Sequence, residues 1–204
     1  MISIIGAGRV GSTTAFSLAL REFGDIKLVD ILEKVPQGEA MDLMHAAHSG
    51  FCIDVLGTND FRDIEGSKIV INTAGIPRKP GMDRLDLLKK NTEIVSSVAR
   101  SIKEFAPDAI VIQVSNPMDV MNYVMHKVTG FDRDKVIGMG GMLDAQRFSL
   151  FLARELKARP KDVKSMVIGE HGESMVPLFS QSFLDKKPVS ELLDEEQKKR
   201  VLEK

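Results

Sequence analysis

The segment GAGRVG at positions 6–11 constrains the fold of this chain more than any other stretch. It matches the pattern G-x-G-x-x-G, follows the apolar residues MISII, and opens a stretch with helical periodicity. In such a strand–turn–helix unit, Gly6 permits the tight turn, Gly8 lets the main chain approach a phosphate, and Gly11 lets the helix pack closely on the strand. A helix N-terminus also attracts negative charge, so the segment predicts a phosphate-binding loop.

An acidic residue lies where a bound dinucleotide needs one. Asp30 ends the second predicted strand, DIKLVD, and an acid there accepts hydrogen bonds from an adenosine ribose. Ile31 follows, with no arginine beside it to neutralise a 2′-phosphate, so the sequence favours NAD over NADP; Lys34 leaves NADP open. The alternative is a glycine turn that only packs a helix onto a strand, but the strand, helix and acid together favour an NAD site.

Apolar strands alternate with helices along most of the chain. The later strands are predicted in CIDVLGTND, KIVINTAG, AIVIQVSNP and KVIGMGG. Nearly continuous apolar strands are typical of a parallel sheet that is covered on both faces, and right-handed crossovers make it doubly wound. We therefore predict an α/β Rossmann domain with strand order 3-2-1-4-5-6 over residues 1–141. The beginning of an α+β domain is predicted over residues 142–204.

The second domain is expected to be incomplete, because the chain ends inside its last predicted helix. DVKSMVIGEHGESMVPLFSQS predicts two extended segments around a glycine-rich turn, and Ser190 is predicted to cap the final charged helix. If the protein is complete at 204 residues, we expect cofactor binding to survive and turnover to be severely weakened or absent.

Composition excludes several classes of partner. A net charge of −1 gives no electrostatic footprint for nucleic acid or an acidic membrane surface. No apolar run reaches the roughly 18 residues of a membrane-spanning helix, and no signal peptide is evident.

The one cysteine, Cys52, is predicted in the third strand as a buried, inert thiol and suits a cytoplasmic location. His45 and His48 are three apart but lack a third ligand, so no metal site is predicted.

Polar motifs follow the strands further along the chain. RKPGMDR (78–84) follows the fourth strand and VSNP (114–117) ends the fifth, which predicts both at the carboxyl edge of the sheet, where ligands bind. Downstream, Asp144 and Arg147 share a helix face, and His171 ends a strand among glycines. Each motif alone has a simpler interpretation: solvated arginines, a surface ion pair, a hydrogen-bonded loop histidine. Their order along the chain favours one shared site.

Taken together, GAGRVG, TAGIPRKPGMDR, VSNPMDV, LDAQR and GEHGES resemble the malate and lactate dehydrogenase family. The resemblance is to the malate side, of the lactate-dehydrogenase-like type, and runs from residue 1 to about 180. It implies an NAD-dependent interconversion of (S)-malate and oxaloacetate, a reaction of the tricarboxylic acid cycle. It also implies a homodimer or homotetramer, for which the apolar face of residues 36–48 is a plausible contact surface.

The resemblance implies a role for each matched residue. His171 would take the proton of the C2 hydroxyl as hydride leaves for the nicotinamide, and imidazole suits this role because its protonation changes near neutral pH. Asp144 would bond the other ring nitrogen. Arg147 would bind the C1 carboxylate in a bidentate fork. Arg84 would polarise the C2 carbonyl, and Asn116 would hydrogen-bond the reacting oxygen.

In this family the residue at the position of Arg78 contacts the end of the substrate that is distal to the reacting carbon. An arginine there, in addition to Arg147, implies a substrate with a second carboxylate. Pro80 and Gly81 fit a lid that closes over the substrate. A lactate or broader 2-hydroxy acid dehydrogenase remains an alternative, as does a non-catalytic nucleotide-binding fragment. The cofactor contacts implied by the resemblance are Gly6, Ala7, Gly8, Arg9, Val10, Gly11, Asp30, Asn91, Val114 and Asn116.

Overall fold

The structure of the chain is a computed structural model that describes residues 1–47, 50, 52–77 and 81–203, apart from the side chains of Ala47 and Arg84. The chain forms two compact units, Met1–Gly138 and Met139–Lys204. Among the described helices, none combines the length and the apolar character needed to cross a membrane.

The first unit is built on a six-stranded parallel sheet. Its strands are β1 (Ile2–Ile5), β2 (Ile26–Val29), β3 (Val55–Thr58), β4 (Ile69–Asn72), β5 (Ile110–Gln113) and β6 (Val136–Gly138). The strand order is β3-β2-β1-β4-β5-β6, which confirms the predicted Rossmann topology. In the observed register Ile5 pairs with both Val29 and Asn72, and Asn72 pairs with Gln113. The strands therefore end level, and the residues that follow them line one edge of the sheet.

Helices cover the two faces of this sheet. They are α1 (Arg9–Ala19), α2 (Val35–Ala47), α3 (Arg84–Phe105) and α4 (Met118–Thr129). One apolar cluster contains Ala15 of α1 and Ala40 of α2 with Ile4 and Leu28 from the strands. A second cluster joins α3 and α4 to the sheet, and Met121 is fully buried there. The sheet is thus buried from both sides, as continuous apolar strands predict.

Local sequence explains where α3 begins and where α4 ends. The carboxylate of Asp83 caps α3 by accepting a hydrogen bond from the main-chain N–H of Asp86, at 2.7 Å. Asp83 is the one acid of the RKPGMDR segment, so it serves the helix N-terminus. Val95 and Ile102 of α3 recur at helical spacing and are buried, which confirms the predicted periodicity. Gly130 ends α4 in the left-handed conformation, with φ of 69°.

The second unit packs a long helix against short strands and two short helices. Its elements are α5 (Gly141–Glu155), β7 (Val163–Lys164), β8 (Val167–Ile168), β9 (Val176–Pro177), β10 (Phe183–Leu184), β11 (Lys187–Pro188), α6 (Val189–Leu192) and α7 (Glu195–Leu202). The rings of Phe148 and Phe179 meet edge to face in its core, with centroids 5.1 Å apart. Strands β8 and β9 are antiparallel, which confirms the predicted extended segments around a glycine-rich turn.

Two local predictions are wrong. Cys52 is exposed and precedes β3, because pairing of that strand with β2 starts only at Val55. The final charged helix is interrupted and is not capped by Ser190, which lies inside α6. Asp194 caps α7 instead, in a capping box with Gln197: each side chain accepts a hydrogen bond from the other residue's main-chain N–H.

Candidate functional site

The glycine loop between β1 and α1 allows a very close approach of main chain to main chain. Gly6 adopts a φ of 100°, which only glycine reaches without strain. A Cβ atom built on Gly11 would lie 1.8 Å from the carbonyl oxygen of Gly6, so α1 can approach β1 only if residue 11 lacks a side chain. Thr73, which was not predicted from the sequence, shares its one hydroxyl hydrogen between the carbonyl oxygens of Ile5 and Gly6, at 3.0 and 3.1 Å.

Gly8 differs from these two glycines, because a Cβ atom there would meet no atom within 4 Å. Gly8 is the N-cap of α1 and uses no side-chain cap. Arg9 and Val10 form the first turn, and both are exposed. The first N–H groups of an α-helix have no partner within the helix. The loop therefore offers open space beside N–H groups, which fits a bound pyrophosphate.

Asp30 is held against this loop by main-chain N–H groups. One carboxylate oxygen accepts from the N–H of Ala7 at 2.7 Å, and the other accepts from the N–H of Leu32 at 2.9 Å. The side chain of Asn59 donates to the carbonyl oxygens of Asp30 and Leu32, at 2.7 and 2.9 Å. Asn59 was not predicted from the sequence as a site residue, because it follows β3 whereas Asp30 follows β2. The acid and the glycine loop are thus adjacent, as an NAD site requires.

Buried amide side chains connect the ends of β4 and β5. The side-chain NH₂ of Asn72 donates to the side-chain oxygen of Gln113 at 2.8 Å. Gln113 donates in turn to the hydroxyl of Ser115 at 2.7 Å, and Asn72 accepts from the N–H of Ala74 at 3.1 Å. Asn72 and Gln113 are both fully buried. The loops that begin at Thr73 and Val114 therefore start from fixed positions.

Asn91 of α3 contacts the main chain of both loops, at Ile76 and Asn116. Asn116 itself is exposed, and its peptide bond to Pro117 is cis. Val114, the other residue predicted in this loop, donates its N–H to the carbonyl oxygen of Asn72 at 2.9 Å. The described part of the first unit thus brings Asn91 and Asn116 together.

In the second unit, α5 places Asp144 beside His171. Nδ1 of His171 lies 2.6 Å from Oδ2 of Asp144, whose side chain is only 3% exposed. An ionised carboxylate can only accept, so we assign the proton of this contact to Nδ1. Nη1 of Arg147, one turn along α5, lies 3.4 Å from the other oxygen of Asp144. Because the carboxylate is buried, the interpretation of Asp144 as half of a surface ion pair is wrong.

The side chains of two arginines predicted for the site are not among those that the structure describes. Arg78 and Pro80 lie outside the described residues, and Arg84 is described only as the first residue of α3. Gly81 has a φ of 82°. Within the described ranges, no group of three or more His, Cys, Asp or Glu residues is arranged to hold a metal ion. His48 of the candidate histidine pair is outside those ranges.

Comparisons with known proteins agree across both units. Residues 1–138 match the family model described as lactate/malate dehydrogenase, NAD binding domain, and residues 141–203 match the alpha/beta C-terminal domain of the same family. The chain is 52% identical over 204 residues to a malate dehydrogenase of Methanosarcina acetivorans and 48% identical over 205 residues to one of Pyrobaculum aerophilum. Each comparison covers all of this chain, which spans 66% of either relative's length.

Solved structures of malate and lactate dehydrogenases also resemble this chain. The malate dehydrogenase from Picrophilus torridus in its apo form matches with a TM-score of 0.94 and 40% identity, covering 98% of this chain and 64% of that one. The lactate dehydrogenase from Cryptosporidium parvum, complexed with lactic acid and nicotinamide adenine dinucleotide, matches with a TM-score of 0.91 and 40% identity. That match covers 98% of this chain and 65% of the other.

Proposed function

Because the chain belongs to the lactate/malate dehydrogenase family, we propose that it acts as an NAD-dependent malate dehydrogenase. The reaction would interconvert (S)-malate and oxaloacetate by hydride transfer. The family predicted from the sequence is confirmed by the matches over residues 1–138 and 141–203, and the NAD-binding description of the first match confirms the predicted cofactor. The observation that carries the activity is the 2.6 Å contact between His171 and Asp144.

The His171–Asp144 pair supports general acid–base catalysis. With Nδ1 protonated toward Asp144, Nε2 is the ring nitrogen that would take the proton of the substrate's C2 hydroxyl. The imidazolium that results would be stabilised by the buried carboxylate 2.6 Å away. Asp144 would thus both orient the ring and balance its charge, and the reverse reaction would return the proton to the C2 oxygen of oxaloacetate.

The substrate contacts are proposed from the matched motifs. Arg147 would bind the C1 carboxylate, since a guanidinium group forms two parallel hydrogen bonds with a carboxylate. Arg84 would polarise the C2 carbonyl, and Asn116 would bond the reacting oxygen. Arg78 would bind the second carboxylate, which makes a dicarboxylate the preferred substrate over lactate.

The cofactor would be held by the first unit. The N–H groups at the start of α1 would receive the pyrophosphate, and Asp30 would accept hydrogen bonds from the adenosine ribose. Bound NAD supplies the nicotinamide ring that accepts the hydride. The carboxylate of Asp30, already fixed by Ala7 and Leu32, would repel a 2′-phosphate, which supports NAD over NADP.

We also propose a homodimer or homotetramer in the cytoplasm, with a role in the tricarboxylic acid cycle and no nucleic-acid partner. Of the predicted contact surface over residues 36–48, Ala40 and Leu43 are buried in the core of the first unit, while Met41 is 59% exposed. The exposed side of α2 is therefore the part that remains for a partner subunit. The net charge of −1 supports the absence of a nucleic-acid partner.

Replacement of Arg78 by glutamine tests the substrate. In the proposed complex, a lone arginine enclosed with a monocarboxylate would lack its partner, at a cost of roughly 3–5 kcal/mol. Arg78→Gln should therefore shift the ratio of kcat/KM for malate over lactate by about two to four orders of magnitude toward lactate. The matched control is Arg100→Gln, an exposed arginine of α3, which should leave the ratio unchanged.

Two outcomes separate the alternatives. An unchanged preference in Arg78→Gln would support a lactate or broader 2-hydroxy acid dehydrogenase. NADH binding without turnover of either acid would support a nucleotide-binding fragment, which is the second candidate function. The assay should follow NADH absorbance with both acids side by side, on this chain and on a chimera completed to the length of its relatives.

A further inference from the structure

Asn91 is the buried residue among the described polar side chains predicted for the site in the first unit. It lies in α3 and is 1% exposed, although its side chain is polar. Asn72 and Gln113, the other buried amides nearby, bond each other and the residues next to them in the chain. Asn91 instead lies in a helix that belongs to neither loop and bonds main-chain groups of both loops, at Ile76 and Asn116, which indicates a separate task.

The amide group of Asn91 is fully engaged as a donor. Its NH₂ donates to the carbonyl oxygen of Asn116 at 2.8 Å and to the carbonyl oxygen of Ile76 at 3.3 Å. Its oxygen accepts from the N–H of Ile76 at 2.9 Å. An amide NH₂ has two hydrogens, and both have main-chain acceptors here. The side chain therefore binds protein main chain on both sides and has no donor left for a ligand.

Packing around Asn91 leaves little space between the two loops. A Cβ atom built on Gly75 would lie 3.2 Å from Cβ of Ser115 and 3.4 Å from the side-chain oxygen of Asn91. The loop after β4 and the loop after β5 thus touch beside the asparagine. A residue at position 91 must offer a donor and an acceptor within this fixed space. Aspartate lacks the donor, leucine lacks both, and glutamine is longer by one methylene.

We propose that Asn91 is a positioning residue that fixes the loop carrying Asn116 against the segment ending at Ile76. The inference rests on the proposed function, in which the exposed side chain of Asn116 bonds the reacting oxygen. Holding the Asn116 carbonyl fixes the main chain from which that side chain projects. Ile76 lies two residues before the RKPGMDR segment. The side-chain amide of Asn91 therefore holds main chain in the loop after β4 and in the loop after β5. Catalytic groups lose large factors in rate when displaced by about 1 Å, so this support matters for turnover.

The first test measures the loops directly and needs no activity. Hydrogen–deuterium exchange should become at least tenfold faster at residues 73–76 and 114–116 in Asn91→Ala and Asn91→Asp. Thr129→Ala is the matched control, since Thr129 is also a buried polar residue and its hydroxyl bonds the Met125 carbonyl at 2.7 Å near the other end of α4. The control should leave exchange in both loops unchanged. Equal exchange in wild type and both Asn91 variants would overturn the proposal.

The second test asks whether Asn91 acts through Asn116. In the assayed dehydrogenase, Asn91→Ala should lower kcat about a hundredfold while the Kd for NADH stays within threefold. The double variant Asn91→Ala/Asn116→Ala should be no slower than Asn116→Ala alone, because Asn91 would act only through the Asn116 side chain, which Asn116→Ala has already removed. Additive losses, or a large rise in the NADH Kd with unchanged loop exchange, would instead make Asn91 a direct ligand contact. Wild-type NADH binding and turnover, measured in parallel, show whether the proposed function itself fails.

Discussion

The imidazole of His171 is bonded through Nδ1 to the carboxylate of Asp144, 27 residues earlier in the chain, at 2.6 Å. The two side chains come from different elements of the second unit: Asp144 from α5, and His171 from the turn between β8 and β9. The side chain of His171 is 16% exposed, whereas that of Asp144 is 3% exposed. A buried carboxylate beside a partly accessible imidazole is what the proposed acid–base role of His171 requires.

Replacing Asp144 by asparagine should remove most of the activity. An asparagine can donate to Nδ1, which would put the ring proton on Nε2 and leave no base facing the substrate hydroxyl. General acid–base catalysis contributes about 10²–10⁴ in rate, so kcat should fall by that range in a malate oxidation assay. His171→Gln should show a loss of similar size.

The control for this prediction is Asp162→Asn. Asp162 forms a comparable contact at 2.6 Å, with Arg159, but that pair lies on the surface. Its replacement should leave kcat unchanged, since exposed ion pairs contribute at most about 1 kcal/mol to stability and Asp162 has no place in the proposed site. If Asp144→Asn kept wild-type kcat, the proposed role of the pair would be wrong.

Two glycines of the same loop should respond differently to alanine. In Gly11→Ala the new Cβ would lie 1.8 Å from the Gly6 carbonyl oxygen, so the loop must shift. We expect a loss of about 1–3 kcal/mol in the free energy of unfolding and weaker NADH binding. In Gly8→Ala the Cβ meets no atom within 4 Å, and the lower chain entropy of alanine opposes its poorer N-cap preference, so the free energy of unfolding should change by less than about 1 kcal/mol.

The Gly8→Ala variant should nevertheless bind NADH at least tenfold more weakly, because its methyl group would occupy the space proposed for the pyrophosphate. Urea unfolding and NADH titration of both variants give the two quantities. Normal NADH affinity in Gly8→Ala would place the pyrophosphate elsewhere.

Asp30→Asn should weaken NADH binding by about one order of magnitude. A hydrogen bond to a charged group contributes about 1.5–3 kcal/mol, and the substitution removes the charge together with one of the two main-chain contacts, because the NH₂ group of asparagine cannot accept from an N–H. The relative affinity for NADPH should rise, because the repulsion of a 2′-phosphate disappears. Fluorescence titration with the two reduced cofactors measures both effects.

Asp25→Asn is the control at the other end of β2, where the Asp25 carboxylate accepts from the N–H of Asp54 at 3.1 Å. It should leave both affinities unchanged. An equal effect of the two substitutions would mean that overall charge, and not contact with the ribose, governs binding.

Asp194→Ala should destabilise the second unit by about 1 kcal/mol, because it removes the capping box of α7. Ser190→Ala, at the position first predicted as the cap, should change the free energy of unfolding by less than about 0.5 kcal/mol. Thermal unfolding monitored by circular dichroism compares the two. A larger cost for the serine would contradict the observed helix boundary.

The sequence by itself determined the features that depend on neighbouring residues. Strand and helix periodicity, the glycine pattern and the acid after the second strand were enough to predict the parallel sheet and its strand order. Asp144 and Arg147 were placed on one helix face because residues three apart on a helix are neighbours. The cap of the last helix was predicted wrongly: Ser190 fits a cap by residue type, but Asp194 and Gln197 form the capping box.

Only the tertiary structure decided which distant groups meet. Asn91 was assigned from the sequence to the cofactor, but its bonds to Ile76 and Asn116 depend on how α3 packs beside β4 and β5. The burial of Asp144 and the exposure of Cys52 likewise follow from packing, since neighbouring residues do not fix how much solvent reaches a side chain. Which distant side chains come into contact depends on how whole helices and strands pack in the folded protein. The spacing of residues along the chain does not determine that packing.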